Sequence, residues 1–288
     1  MSVMSVKVIT DSTSYIPESE QEKYDIALVS LSVLLDGESI REMDIPYDEF
    51  YERMSRAKTI PTSSQPAVGE LTEAFEKVLA AGNDIFGVFI SSKMSGTYQT
   101  ALMIKQQLLE KYPERKIEIM DSGTNCMQLG FIALEAAKAG MNGASMEEVW
   151  QAAEQVRTHS RFIFTPEVLD YLQKGGRIAR ASALLGTLLQ IKPVLTVNDG
   201  VADVFAKVRT KKKAVEAIVD GMTEEVKGHE IGGVMVHHIN CAEEGRALAD
   251  RLEKQFGIKI GIQSIGPIIG VQDVYKRQPL ILSKTANA

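Results

Sequence analysis

Residues 85–97 read IFGVFISSKMSGT, and the two halves of this segment decide the fold. Ile85–Ile90 is a continuous apolar run of strand length. Such a run suits a central strand of a parallel sheet, which is buried on both faces. It stops at the polar stretch Ser91–Thr97. A helix is predicted next, with Tyr98, Ala101, Leu102, Lys105, Leu108 and Leu109 along one side. The same alternation extends in both directions. Upstream, Val68, Leu71, Phe75, Val78 and Leu79 recur at helical spacing over residues 67–81, and Glu70, Glu73, Glu76 and Lys77 fill the opposite face. Val8-Ile9-Thr10 reads as a short buried strand that stops at Asp11-Ser12-Thr13-Ser14. Residues 26–35 are β-prone and end at the turn signal Asp36-Gly37. Downstream, Ile117–Met120 is a strand ending at Asp121-Ser122-Gly123. Ser145 and Glu148 form a capping box for a helix carrying Val149, Trp150, Ala153 and Val156. Strands alternating with helices predict a doubly wound, mostly parallel α/β sheet.

Near residue 160 the pattern changes. Arg161–Thr165 is a strand candidate. Residues 194–197 and 201–208 flank Asn198-Asp199-Gly200, a strong hairpin signal, because Asp-Gly readily takes the positive φ of such turns. Ala214–Val226 reads as a helix. Ile231–His238 and Ile258–Ile265 read as strands, with a helix between them containing Ala247, Leu248 and Leu252. The expectation is an N-terminal α/β domain over residues 1–160 and a smaller C-terminal α+β domain over residues 161–272.

Composition narrows the functional classes. Of 288 residues, 44% are hydrophobic and 24% charged, the mix of a folded globular chain. A formal net charge of −6 argues against nucleic acid as the main partner, since phosphate contacts require a basic face. Cys126 and Cys241 match neither a disulfide framework nor a metal-ligand spacing. The N-terminus lacks a basic stretch followed by an apolar run, and no apolar segment is long enough to span a bilayer. The cytoplasm is the expected compartment.

Candidate chemistry lies in four polar loops: Thr10–Thr13, Pro61–Pro66, Ser91–Thr97 and Asp121–Gly123. Three follow strands and fall at the carboxyl edge of the sheet, where α/β folds bind ligands. Residues 61–66 precede a helix, and Ser95-Gly96-Thr97 opens another. Hydroxyls and unpaired N–H groups at helix N-termini suit an anion. The alternative reading of each loop is an ordinary set of caps and turns. The Gly-Gly turn in YLQKGGRI (171–178) presents Arg177, and Lys207, Arg209 and Lys211–Lys213 form a basic run, suited to solvent, an acidic partner or a phosphate. No nucleophile elbow, Walker loop, dinucleotide fingerprint or zinc-protease motif occurs. The four histidines, 159, 229, 237 and 238, lie at or beyond the domain boundary, far in sequence from Ser63 and Ser95.

In order and spacing, Ile9-Thr10-Asp11-Ser12, the Thr62–Pro66 loop, SSKMSGTYQTA (91–101), YLQKGGRI (171–178) and Ile265-Gly266-Pro267 resemble the DegV family over residues 5 to 272. The resemblance implies two domains with an apolar tunnel between them, holding one long-chain fatty acid. It implies no cofactor and no catalysis by the chain alone. It implies a partner, a separate fatty acid kinase that phosphorylates the presented carboxylate, and transient membrane contact for lipid exchange. Carried over by position, Ser63 and Ser95 are the carboxylate ligands, with Thr62, Ser92, Gly96 and Thr97 as neighbours. Many members have Thr where Ser63 stands, which keeps the hydroxyl. Arg177 and Arg209 match basic positions that serve the kinase contact or the phosphorylated product.

The chain departs from the family after Gly270, where a His, Gly-Pro-Gly and an apolar strand are expected. Here Val271-Gln272 leads into DVYKRQ (273–278), the string that a sequencing-library transposase adaptor gives when translated. Residues 273–288 are therefore read as a non-native tail, and the missing His belongs at Gln272. Two other functions stay open at this point: a serine-dependent hydrolase or transferase, and a phosphate or sugar-phosphate binder using the same loops.

Overall fold

The computed structural model describes residues 5–166, 169–184, 191–273 and 278–285. The chain runs through β1 (Val6–Asp11), α1 (Glu18–Lys23), β2 (Ala27–Val29), β3 (Ser32–Leu35), β4 (Glu38–Arg41), α2 (Tyr47–Ser55), β5 (Thr62–Ser64), α3 (Val68–Ala80), β6 (Asp84–Phe89), α4 (Thr97–Lys111), β7 (Ile117–Asp121), α5 (Cys126–Met141) and α6 (Met146–Thr158). It continues through β8 (Ser160–Phe164), α7 (Asp170–Lys174), β9 (Lys192–Asn198), β10 (Val201–Val208), α8 (Lys211–Glu225), β11 (Ile231–Ile239), α9 (Ala242–Phe256), β12 (Gly261–Ser264), α10 (Pro267–Asp273) and β13 (Gln278–Thr285). Two compact units result. The first comprises residues 1–32, 41–43 and 64–158; the second comprises 33–40, 44–63 and 159–288. Two early stretches, 33–40 and 44–63, thus pack with the second unit.

The first unit is built on a four-stranded sheet, β2-β1-β6-β7, with every pair parallel. The apolar run that opens β6 supplies both faces of this sheet. Ile85 and Phe89 join Ile9, Ile117 and Ile119 in a core with Leu71, Phe75 and Leu79 of α3 and Ala101, Ile104 and Leu108 of α4. Phe86 points the other way and meets the Trp150 ring of α6 edge-on at 5.8 Å. On that face α5 lies so close to β1 that a Cβ at Gly140 would stand 2.4 Å from the Val6 carbonyl oxygen. The capping box that opens α6 is reciprocal: Ser145 N–H donates to Glu148 Oε2 (2.7 Å), and Glu148 N–H donates to Ser145 Oγ (3.3 Å).

The second unit carries a six-stranded sheet, β10-β9-β8-β13-β11-β12, and a small sheet, β4-β3-β5. The β9–β10 hairpin turns on Asp199 (φ 50) and Gly200 (φ 77), both left-handed as a two-residue turn requires. Helices α8 and α9 cover the sheet through Ala214, Ile218, Val219, Met222, Leu248, Ala249 and Leu252, packed on Ile163, Val194, Val234 and Val236. β12 is shorter than the sequence suggests and pairs parallel with β11. β13, from the stretch read above as a tail, runs antiparallel to both β8 and β11 and fills the space between them.

His237 sits fully buried in β11, with Nδ1 3.0 Å from the Gln263 carbonyl oxygen. Burial pushes its pKa down to about 3. Between pH 6.5 and 3 the unfolded chain binds a proton that the folded chain refuses, so stability falls as the pH falls through this window. A His237→Gln variant removes that titration. Chemical denaturation at pH 7 and 4.5 should show the wild type losing roughly 2–3 kcal/mol more than the variant; equal losses would contradict the burial argument. A second expectation concerns β13. Deleting residues 278–288 leaves β8 and β11 as open edges inside the sheet, so the truncated chain should aggregate or melt well below the full chain.

Candidate functional site

At the carboxyl edge of the parallel sheet, loops following β1, β6 and β7 are tied together by two aspartates. Asp11 ends β1 and is fully buried. Its Oδ2 accepts the Ile90 N–H at 2.8 Å, and its Oδ1 accepts the Thr13 N–H at 3.0 Å and the Thr13 hydroxyl. Burial raises its pKa to about 6, and those three hydrogen bonds pull the other way. Asp121 ends β7, and its Oδ1 accepts the N–H groups of Ser92 (3.1 Å) and Gly123 (2.9 Å). The Ser91 carbonyl accepts the N–H groups of Met94 and Ser95, which curls the loop toward α4.

The loop delivers Ser95 and Thr97 side by side, their hydroxyl oxygens 2.9 Å apart. Thr97 is fully buried and Ser95 half-buried. If the Thr97 hydroxyl and N–H both donate to Ser95 Oγ, the Ser95 O–H is left to donate outward to an anion. Gly96, between them, is the N-cap of α4. A Cβ there would fall 2.2 Å from Gln65 Oε1, and Gln65 Nε2 donates to Thr100 Oγ1 at 2.9 Å. Gln65 therefore lies over the helix start, and a Cβ at position 96 would push its amide away from Thr100.

The second unit holds a separate feature, a cavity of about 90 Å³ lined by Ile60, Pro61, Thr62, Ser63, Lys174, Gly175, Arg177 and Val271. α7 ends at Lys174, and Gly176 takes a left-handed φ of 72, as a helix C-terminus favours. This turn brings Arg177 back so that its Nη1 donates to the Gly175 carbonyl. Thr62, Ser63, Lys174 and Arg177 line it together with Ile60 and Val271, a chemistry that fits an anionic group attached to an apolar body.

Thr62, Ser63 and Arg177 thus share one cavity, and Ser92, Ser95, Gly96 and Thr97 share one loop. Arg209 is exposed, precedes the α8 N-cap Thr210, and does not line the cavity. One expectation is corrected. Thr62 and Ser63 do not sit at a helix N-terminus: they form β5, and α3 starts only at Val68, capped by Ala67 without a side-chain hydrogen bond. Pairing within the β4-β3-β5 sheet claims the segment first. Sequence reasoning passed over Lys174, Ile60, Val271 and the Gln65 contact; only Lys174 carried a signal, its place beside the Gly-Gly turn. Among the described residues, no cluster of three His, Cys, Asp or Glu side chains suits a metal ion, and no helix is long and apolar enough to cross a membrane.

Comparison with known proteins assigns the family. Residues 5–272 match the family model described as "Uncharacterised protein, DegV family". The chain belongs to the DegV family. A DegV domain-containing protein of Clostridium acetobutylicum is 50% identical over 268 residues, 93% of this chain and 94% of the relative. Among solved structures, a DegV family protein from Thermus thermophilus described by its fatty acid binding superposes with a TM-score of 0.88 at 26% identity, covering 98% of this chain and 100% of that one. A stearic acid-binding protein from Eubacterium ventriosum gives 0.87 at 26% identity, with 97% and 98% covered. The DegV fold, a mixed α/β arrangement around a parallel sheet, is therefore shared.

The Gly96–Gln65 contact is testable by a double-mutant cycle. Gly96→Ala should cost about 1 kcal/mol in the wild-type background and close to nothing in Gln65→Ala, measured by denaturant unfolding. Equal costs in both backgrounds would remove Gln65 from the helix start.

Proposed function

We propose that this DegV protein binds one long-chain fatty acid and presents its carboxylate to a separate fatty acid kinase, doing no chemistry on it alone. The likeness over nearly the whole chain to solved DegV proteins that bind fatty acids carries the reading. The residues found in the loop and the cavity suit it. Ser63 and Ser95 each donate a hydroxyl to the carboxylate, with Thr62, Ser92, Gly96 and Thr97 as neighbours. An ionised carboxylate out of water needs such donors, or it protonates instead. Each charge-assisted hydrogen bond contributes roughly 1.5–3 kcal/mol, and each buried methylene about 0.8 kcal/mol.

Arg177 lines the cavity and suits the extra charge of an acyl phosphate product, while the exposed Arg209 suits contact with the kinase. Working beside an ATP-dependent kinase, the carrier acts in the cytoplasm and touches the membrane only to exchange lipid. The serine-enzyme alternative is less well supported, because the neighbour of Ser95 Oγ is another hydroxyl rather than a base. A sugar-phosphate ligand would use Lys174 and Arg177 but finds Ile60 and Val271 beside them.

Native mass spectrometry of the purified chain, with and without added palmitate, tests the proposal. The expected result is a mass excess of one fatty acid per chain, lost in a Ser63→Ala/Ser95→Ala double variant. Ser95→Ala alone should weaken palmitate about tenfold or more, the equivalent of one such hydrogen bond. A wild-type chain that takes up no palmitate would end the fatty-acid reading.

A further inference from the structure

Thr62 and Ser63 reach their cavity on residues 44–63, a stretch separated in sequence from the main part of the second unit, residues 159–288, by the whole of α3 to α6. The stretch includes α2, which buries Phe50, Tyr51 and Met54, and Tyr51 adds a polar contact. Tyr51 is only 6% exposed, and its hydroxyl lies 2.8 Å from the carbonyl oxygen of Ile265 and 3.1 Å from that of Gly266. A phenol has one proton to donate, so the two carbonyls share it. Both immediately precede α10, whose first residue, Pro267, has a fixed φ and no N–H, as suits a helix start.

α10 also meets the phenol one turn later. A Cβ at Gly270 would stand 2.1 Å from Tyr51 Oη and 2.8 Å from its Cζ. Glycine at 270 is what lets the hydroxyl lie flat against the helix. The next residue, Val271, lines the cavity beside Ile60, Pro61, Thr62 and Ser63. A single hydroxyl therefore bears on both walls of the cavity: the segment that brings Thr62 and Ser63, and the helix that brings Val271.

We propose that Tyr51 is a positioning residue for the head-group cavity, setting the spacing between the Thr62–Ser63 hydroxyls and α10. The inference rests on the fatty-acid reading above. Hydrogen bonding to a carboxylate is sensitive to fractions of an ångström, whereas apolar contact is tolerant. Loosening this clamp should therefore erode selection for the carboxylate before it erodes affinity for the chain of the lipid.

The test compares palmitic acid with hexadecanol, which share a chain length and differ in the head group. Dissociation constants are measured on the full chain for the wild type, Tyr51→Phe and Gly270→Ala. Phenylalanine keeps the ring and removes the hydroxyl; alanine at 270 displaces the hydroxyl from the helix side, so either variant alone suffices if the other fails to fold. The wild type should prefer the acid. In each folded variant the acid-over-alcohol preference should fall at least fivefold, with hexadecanol binding changed less than twofold. Equal weakening of both ligands would make Tyr51 merely structural and overturn the proposal, as would no change in either. A wild type that binds neither ligand would instead sink the fatty-acid reading itself, and this inference with it.

Discussion

A carboxylate removed from water must be surrounded by donors, and Asp11 shows how this fold meets that demand. It is fully buried at the end of β1, yet its oxygens collect the Ile90 N–H, the Thr13 N–H and the Thr13 hydroxyl. Through Ile90 it ties the end of β1 to the residue that follows β6, the root of the loop that carries Ser92, Ser95, Gly96 and Thr97. Even so its pKa is pushed up to about 6, because burial outweighs the three bonds. Glu42, also buried, accepts the Tyr15 hydroxyl at 2.9 Å. The proposed ligand poses the same physical problem, and the hydroxyls of Ser63 and Ser95 are the proposed answer.

Polar and apolar demands are met by different parts of the chain. The parallel sheet of the first unit is buried on both faces, with Phe75 and Phe89 stacked 6.4 Å apart on one face and Phe86 against Trp150 on the other. Loops at its carboxyl edge are held by backbone N–H groups donated to Asp11 and Asp121, so the Ser95 hydroxyl is aimed by a scaffold and not by its own rotamer alone. In the second unit, the Tyr51 hydroxyl binds an early segment to a late helix, and the cavity of Thr62, Ser63, Lys174 and Arg177 depends on both. Residues far apart in sequence line one cavity because their elements belong to the same compact unit.

Much of the fold was legible in the sequence where the signal is local. The apolar run 85–90, the helical spacing of Val68 to Leu79, the Asp199-Gly200 turn and the Ser145–Glu148 box each name their structure within a few residues. α5 was not legible. Gly130, Ala133, Ala136, Ala137 and Gly140 are all buried in it, Gly140 against Val6 of β1 and Gly130 against Ser14, and burial nearly all round leaves no amphipathic stripe to read. Nor was β5: Thr62-Ser63-Ser64 looks like a helix entry because hydroxyls precede an amphipathic run, and only pairing in the small sheet makes it a strand. The hydroxyls of the candidate site could be named in advance, partly from the loops and partly from the family resemblance. The grouping of Thr62 and Ser63 with Lys174, Arg177 and Val271 could not, since it arises from packing of residues 44–63 with much later parts of the second unit.

The central claim is that hydroxyl donors hold a fatty-acid carboxylate in its ionised form. Carbon-13 NMR of the chain loaded with carboxyl-labelled palmitate tests it most directly. One bound carboxyl resonance is predicted at the ionised position at pH 8, with a titration midpoint that rises in Ser95→Ala, because each donor favours the charged form against burial. A bound resonance at the protonated position at pH 8, or a midpoint unchanged in Ser95→Ala, would contradict it.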